Sequence, residues 1–182
     1  MNANLFAVLS DNIPKPAATA IETAAGERIS YADLVARTGR MANALVGLGV
    51  QPGDRVAAQV EKSVEAIILY LATVRAGGVF LPLNTGYTPA EIEYFVTDAE
   101  PAVFVCDPAR QDAMQPVAEK VGTTLVTLDA NGEGTLADAA NAAPEAFDTV
   151  ERGADDLAAL LYTSGTTGRS KGAMLTHDNL VS

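Results

Sequence analysis

The sequence has a single cysteine, Cys106, and a single histidine, His177. One cysteine excludes a disulfide or a cysteine-based metal cluster within the chain. Basic residues are scarce: 12 Lys and Arg stand against 23 Asp and Glu, for a net charge of −11. That field repels nucleic acid and anionic lipid, so neither a nucleic acid nor a membrane surface is expected as a partner. Any phosphate ligand must therefore be captured locally, by backbone amides, a few cations and a divalent metal. No apolar run is long enough to span a bilayer. The start, MNANLFAVLSDNIPKP, lacks the basic n-region of a secretory leader. The cytoplasm is the expected compartment.

What is present is core-forming. The chain has 182 residues and is 48% apolar, enough for one good domain or two small ones. From Arg28 it alternates between two periods, with no internal repeat. GERISYADL supplies a short strand, then Ser30 as a helix N-cap with Asp33 three residues on. Leu34, Val35, Thr38, Met41, Ala42 and Leu45 follow at helical spacing, and Gly49 with Pro52 closes that helix. DRVAAQV reads as a strand. The helix expected over 64–74 is apolar on nearly every side, as a helix covered on most faces would be. VFLPL is a further strand, and Thr88-Pro89-Ala90-Glu91 is a full helix start of N-cap, N1 proline and N3 glutamate. AVFVCD, a helix over 109–121 and TTLVTL extend the pattern. Strands alternating with helices predict an α/β fold, a mostly parallel sheet with helices on both faces. The stretch 129–156, rich in Ala, Gly, Asn and Asp, reads as a surface connection with one short helix.

A last strand over 157–162 runs into YTSGTTGRSKGAMLTH, where Thr176 is the N-cap of a further helix. Glycines 165, 168 and 172 let successive amides point inward as an anion-binding nest. Thr163, Ser164, Thr166 and Thr167 add hydroxyls at the same place, one of which can reach a metal. Lys171 supplies a point charge for phosphate; Arg169 either does the same or faces solvent. The P-loop pattern G-x-x-x-x-G-K-[ST] does not fit, since from Gly165 it puts Ser170 at the second glycine and Gly172 at the metal-binding hydroxyl. The dinucleotide fingerprint G-x-G-x-x-G is absent as well.

The loop resembles the signature of the adenylate-forming superfamily of acyl-CoA synthetases, luciferases and peptide-synthetase adenylation domains. YTSGTTGRSKG and LTH carry the match, with Ser170 where proline is usual. Upstream, GVQPGDRVAAQVEKSVEAIILYLATVRAGGVFLPLNTGYTPAEIEYFVTDAEPAVFV is similar to that superfamily's opening half-domain, so the likeness runs over 29–182. SYADLVARTGRMANALV, EKSVEAIILYLATVRAGGVFLPLNTGYT and GRSKGAMLTHDNL resemble its malonyl-CoA synthetase branch, including the serine for proline.

The resemblance implies that 1–182 is the N-terminal, incomplete portion of an AMP-binding domain, with 28–128 as its strand–helix region and 157–182 as strand, phosphate loop and helix start. It implies ATP and Mg2+ at Thr163, Ser164, Gly165, Thr166, Thr167, Gly168, Arg169, Ser170 and Lys171, with Thr163 toward the metal and Lys171 as the catalytic cation. A small carboxylic acid and CoA would be the co-substrates. The carboxylate attacks the α-phosphate to give an acyl-adenylate and pyrophosphate, and the CoA thiol then displaces AMP. The family's acceptor pocket, glutamate motif, hinge and mobile C-terminal domain with a second lysine do not appear in this sequence, so the remainder of a parent enzyme is an expected partner and the chain alone is expected to be inactive. Two other readings stay open: a non-catalytic nucleotide-binding fragment, and an adenylating enzyme for another acid or an amino acid.

Other residues have plainer expected roles. His177 packs or caps at a helix start. Cys106 is a buried small hydrophobe. Tyr70, Tyr87 and Tyr94 pack, and Asp98, Glu100 and Asp107 are solvated at element ends.

Overall fold

A computed structural model describes residues 2–163 and 171–182. The chain begins with helix α1 (Leu5–Asp11), started by Asn4, whose Oδ1 accepts from Phe6 N at 2.9 Å. A short antiparallel pair follows, β1 (Thr19–Glu22) with β2 (Arg28–Ser30). Neither α1 nor β1 is visible as a pattern in the sequence: each is short, and the pairing of β1 with β2 is a tertiary event.

Ser30 then caps α2 (Tyr31–Gly47) in a reciprocal box with Asp33, as its spacing predicts. From there strand and helix alternate: β3 (Arg55–Gln59), α3 (Val64–Arg75), β4 (Val79–Pro82), α4 (Pro89–Ala99), β5 (Val103–Cys106), α5 (Gln111–Val121) and β6 (Thr124–Thr127). A 3-10 turn, Pro108–Arg110, leads into α5. Helix α4 opens at Pro89 behind the predicted Thr88–Glu91 capping box. Then come α6 (Thr135–Ala142), β7 (Leu157–Thr163), β8 (Lys171–Thr176) and α7 (His177–Val181).

The main sheet has the strand order β6-β5-β3-β4-β7-β8. Its first five strands are mutually parallel, and β8 returns antiparallel to β7. The period-2 alternation of the strands divides the core in two. Val56, Ala58, Val103, Val105 and Val126 meet α2, α3 and α6 on one face. Ala57, Leu81, Phe104 and Cys106 meet α4 and α5 on the other, through Ile92, Phe95, Val96, Met114 and Val117. Covering both faces is what lets β5 read as an unbroken buried run, VFVC.

Two places differ from the sequence reading. The stretch 129–156, expected as a surface connection, sends Leu136, Ala137 and Ala140 of α6 into the first core, against α2. The stretch 171–176, expected inside a loop, is strand β8. Its backbone groups find their partners only once β7 lies beside it, so a local pattern weak in apolar alternation conceals it.

Arg75, the last residue of the apolar helix α3, is buried too. Its guanidinium donates to Val35 O at 2.8 Å, Thr38 Oγ1 at 3.1 Å and Phe147 O at 2.7 Å, and lies 4.6 Å from the Phe6 ring centre. One planar fork thus joins α1, α2, α3 and the segment before β7.

Candidate functional site

Parallel strands deliver their last residues to one edge of a sheet, and ligands of open α/β folds bind there. β7 ends at that edge with Thr163. β8 starts beside it, and Thr163 and Lys171 are register partners. Of the residues assigned to phosphate binding, the structure therefore brings these two together. Ser164, Gly165, Thr166, Thr167, Gly168, Arg169 and Ser170 lie outside the described residues. Lys171 is exposed and forms no ion pair with any described residue, which leaves its ammonium available to an anion.

The strands on either side of the loop are fastened. Tyr162, one residue before Thr163, donates its phenol proton to Asp98 Oδ2 on α4, and its ring lies 4.7 Å from that of Phe95. Burial, and then the Asp98 carboxylate, push the Tyr162 phenol well above its ordinary range. Asp98 thus has a specific partner rather than the solvated role its place at a helix end suggests. Gly172 faces Leu160, whose Cδ1 would lie 2.9 Å from any Cβ at that position.

After β8, Thr176 caps α7 reciprocally with Asn179. His177 follows, fully buried, and its Nδ1 accepts from Leu5 N at 3.0 Å. Its backbone N–H reaches Asp156 O at 3.0 Å. Burial and the Arg152 guanidinium lower the His177 pKa, against a smaller upward pull from Asp156. Packing at a helix start, the role the sequence suggests, is what the imidazole has here.

A cavity of about 580 Å³ opens at the same sheet edge, at the ends of β3 and β4, lined in part by Ala58, Lys62, Pro82, Asn84 and Thr85. The chain leaves β3 for one face, through α3, and β4 for the other, through α4. This is the switch point of the sheet. The 84–87 turn over it is held from below by Gln59 Nε2, 2.9 Å from Asn84 O, and by Arg110, whose guanidinium donates to Thr85 O and, at 2.8 Å, to Tyr87 O. Sequence reasoning missed Gln59 and Arg110, because both act on a loop that only the strand order brings near them. Cys106, beside this region, is fully buried, with its thiol pushed up to about 11 by burial first and by Asp107 second. It is an inert core residue.

Among the described residues no group of three or more His, Cys, Asp or Glu side chains is placed to hold a metal ion, and no helix is long and apolar enough to cross a membrane. The fold and site define an α/β chain in which a Gly/Thr-rich sequence lies between the end of β7 and the start of β8. Residues 12–182 match the AMP-binding enzyme family, and the chain belongs to it. It is similar over its whole length to ATP-bound MatB from Rhodopseudomonas palustris, at 67% identity and a TM-score of 0.96, covering 36% of that chain. It is 38% identical over 165 residues to a feruloyl-CoA synthase from Amycolatopsis, covering 91% of this chain and 31% of that protein. An oxalate–CoA ligase from Arabidopsis thaliana is 33% identical, with 100% of this chain and 37% of that protein covered. The chain thus spans between 31% and 37% of these three proteins.

Proposed function

We propose that the chain supplies the ATP phosphate-binding part of an enzyme that activates a small carboxylic acid, malonate or a related dicarboxylate, to an acyl-adenylate and then an acyl-CoA, releasing AMP and pyrophosphate. The observation that carries this reading is the pairing of Thr163 with Lys171 at the carboxyl edge of the sheet, as the two flanks of YTSGTTGRSKG. The 67% identity to a MatB that binds ATP supports the nucleotide. The malonyl-CoA synthetase likeness of GRSKGAMLTHDNL supports the acid, and the oxalate–CoA ligase among the relatives suits a short dicarboxylate.

The donor set fits magnesium-bound triphosphate. The Thr163 hydroxyl is a hard oxygen of the kind Mg2+ accepts, and its strand end is exposed. Lys171 is a compact cation one strand away. Bound Mg2+ would neutralise part of the charge on the triphosphate. The amides and hydroxyls of Ser164, Gly165, Thr166, Thr167, Gly168, Arg169 and Ser170 then hold the β- and γ-phosphates. Lys171 stabilises the negative charge that grows on departing pyrophosphate, a preorganised electrostatic role. Orientation comes from the strands: Asp98 through Tyr162 on the incoming side, and the β7–β8 ladder between the two arms.

The test is ATP–pyrophosphate exchange by the intact protein against malonate, acetate, fatty acids and amino acids, with and without CoA. The expected result is exchange driven best by malonate or a near dicarboxylate, with AMP as nucleotide product. ADP as product would sink the reaction class. Exchange driven only by long-chain acids or amino acids would move the enzyme to another branch, and nucleotide binding without any exchange would favour the non-catalytic reading.

A further inference from the structure

The outgoing arm of the phosphate loop ends on a buried imidazole that reaches across the molecule to the start of the chain. His177 is the first residue of α7, directly behind β8, and is fully buried. Its Nδ1 accepts the Leu5 amide proton at 3.0 Å, across a sequence separation of 172 residues. The N-terminal segment is fixed at several further points. Asn4 Nδ2 donates to Val74 O at 2.8 Å and Val150 O at 2.9 Å, Ala3 N to Arg152 O at 2.9 Å, and Arg152 N to Asn2 Oδ1 at 3.0 Å. The strap carrying Leu5 is thus a fixed wall rather than a loose tail.

We infer that His177 is a positioning residue for the phosphate loop: neutral, and bonded through Nδ1 to Leu5 N, it anchors the end of β8 and so sets where Lys171 stands. The inference rests on the reading of 163–171 as the phosphate loop. β8 pairs with β7 from Leu157↔Thr176 to Thr163↔Lys171, with an irregularity between Leu157 and Ala159. One end of that ladder is the site, and the other is tied down at His177. A strand held only by its neighbour can slide; one held at its far end as well cannot.

The bond requires an unprotonated Nδ1. A proton there would set one N–H against another in a buried place, so acid should release the anchor. The charged groups facing the imidazole are Arg152, which opposes protonation, and Asp156, which favours it more weakly. Helix α1 brings amide N–H groups and no acidic side chain in its first turn. The only charge on β8 is Lys171, at its far end, and α7 itself carries Asp178. Since the folded-state pKa is lowered, the neutral form and its bond are retained above the ordinary histidine value. They are lost as pH falls through the lowered one.

Pyrophosphate exchange by the intact enzyme, read from about pH 5 to about pH 9, tests this. His177→Leu should lower kcat about tenfold, with a smaller change in the KM for ATP. His177→Asn, which keeps an acceptor near the Nδ1 position, should restore most of the rate and shift the acid limb of the profile. Leu5→Pro removes the donor at a first-turn position where proline is tolerated, Asn4 being already extended at ψ 125°. It should lower kcat similarly, and the double variant should lose little more than either single one. If His177→Leu does not fold, Leu5→Pro and His177→Asn decide the matter alone. A His177→Leu enzyme within about twofold of wild type, with an unchanged pH profile, overturns the role when Lys171→Ala is crippled, and leaves the phosphate reading standing. An unimpaired Lys171→Ala enzyme overturns the phosphate reading, and this role with it.

Discussion

Thr163 and Lys171 sit opposite each other across the β7–β8 ladder, with Tyr162 and Gly172 as the next pair inward. Neighbouring strands run about 5 Å apart, so a hydroxyl and an ammonium are presented side by side at the sheet edge. Each alone is an ordinary surface group. Held at strand spacing, on the two flanks of a Gly/Thr-rich stretch, they have the placement that the proposed function asks of two corners of an anion site.

In the intact enzyme, Lys171→Ala should slow adenylate formation by about 10²–10³-fold, the usual cost of one preorganised charge donor. The KM for ATP should change less, because a cation on the leaving group acts most strongly where charge develops. Lys171 is exposed at a strand end, so the stability of the variant should stay within about 0.5 kcal/mol of wild type. Steady-state exchange beside a urea melt checks both halves. A stable enzyme with undiminished exchange would remove Lys171 from the mechanism.

Arg75→Lys should destabilise the fold by about 2–4 kcal/mol, although the charge is kept. A lysine has no planar fork with which to reach Val35 O, Thr38 Oγ1 and Phe147 O together. Burial already pulls the Arg75 pKa down, and an ammonium is more strongly hydrated than a guanidinium, so the exchange adds desolvation to lost bonds. Denaturant unfolding of the variant measures the loss. A change below about 1 kcal/mol would show that the four-element junction is held by packing alone.

Much of the fold is legible because it is written locally. The capping boxes at Ser30 and Thr88 and the apolar runs of β3 and β5 each announce themselves within a few residues. What escapes the sequence is what depends on distant partners. Arg75 looks like a cation closing an apolar helix, yet its acceptors come from α2 and from Phe147. Asp98 looks solvated until Tyr162 arrives 64 residues later. β8 looks like loop because its glycine and its neighbours belong to a motif whose chemistry dominates the reading, while its ladder partner is invisible to any window. Of the candidate site, Thr163 and Lys171 were legible as residue types, and their pairing was not.

Two glycines of α2 should respond in opposite senses to alanine. A Cβ on Gly39 would lie 1.8 Å from Glu145 O, inside a contact that Asn43 reinforces by donating to Pro144 O and Ala146 O, each at 2.9 Å. Gly39→Ala must push the 144–147 segment off the helix, at a cost of about 2–3 kcal/mol. Gly47 ends the same helix, and a methyl group added there would meet nothing within 4 Å. Gly47→Ala should stabilise by about 0.5–1 kcal/mol, through helix propensity alone. Paired thermal melts would decide, and equal effects of the two changes would contradict the close approach at Gly39.

The outer edge of β8 should make the isolated chain self-associate. β8 is last in the order of the main sheet, and among the described residues nothing pairs with its far side. The exposed large apolar residues Leu9, Val46, Ile67, Tyr94 and Val181 lie singly on helices, whereas Met174 is 66% exposed in the middle of this edge strand. Apolar side chains scattered on helices are ordinary, but an unpaired strand carrying one is a template for a second strand. The one charge on β8 is Lys171 at its end, too far along to guard the centre. Sedimentation velocity at about ten to fifty micromolar, where exposed edges begin to associate, should therefore show dimers or larger species. Met174→Lys should shift them toward monomer, by placing a charge where edge strands are normally protected. A monomeric parent chain, or a Met174→Lys chain that associates just as strongly, would show that the edge is not the adhesive surface.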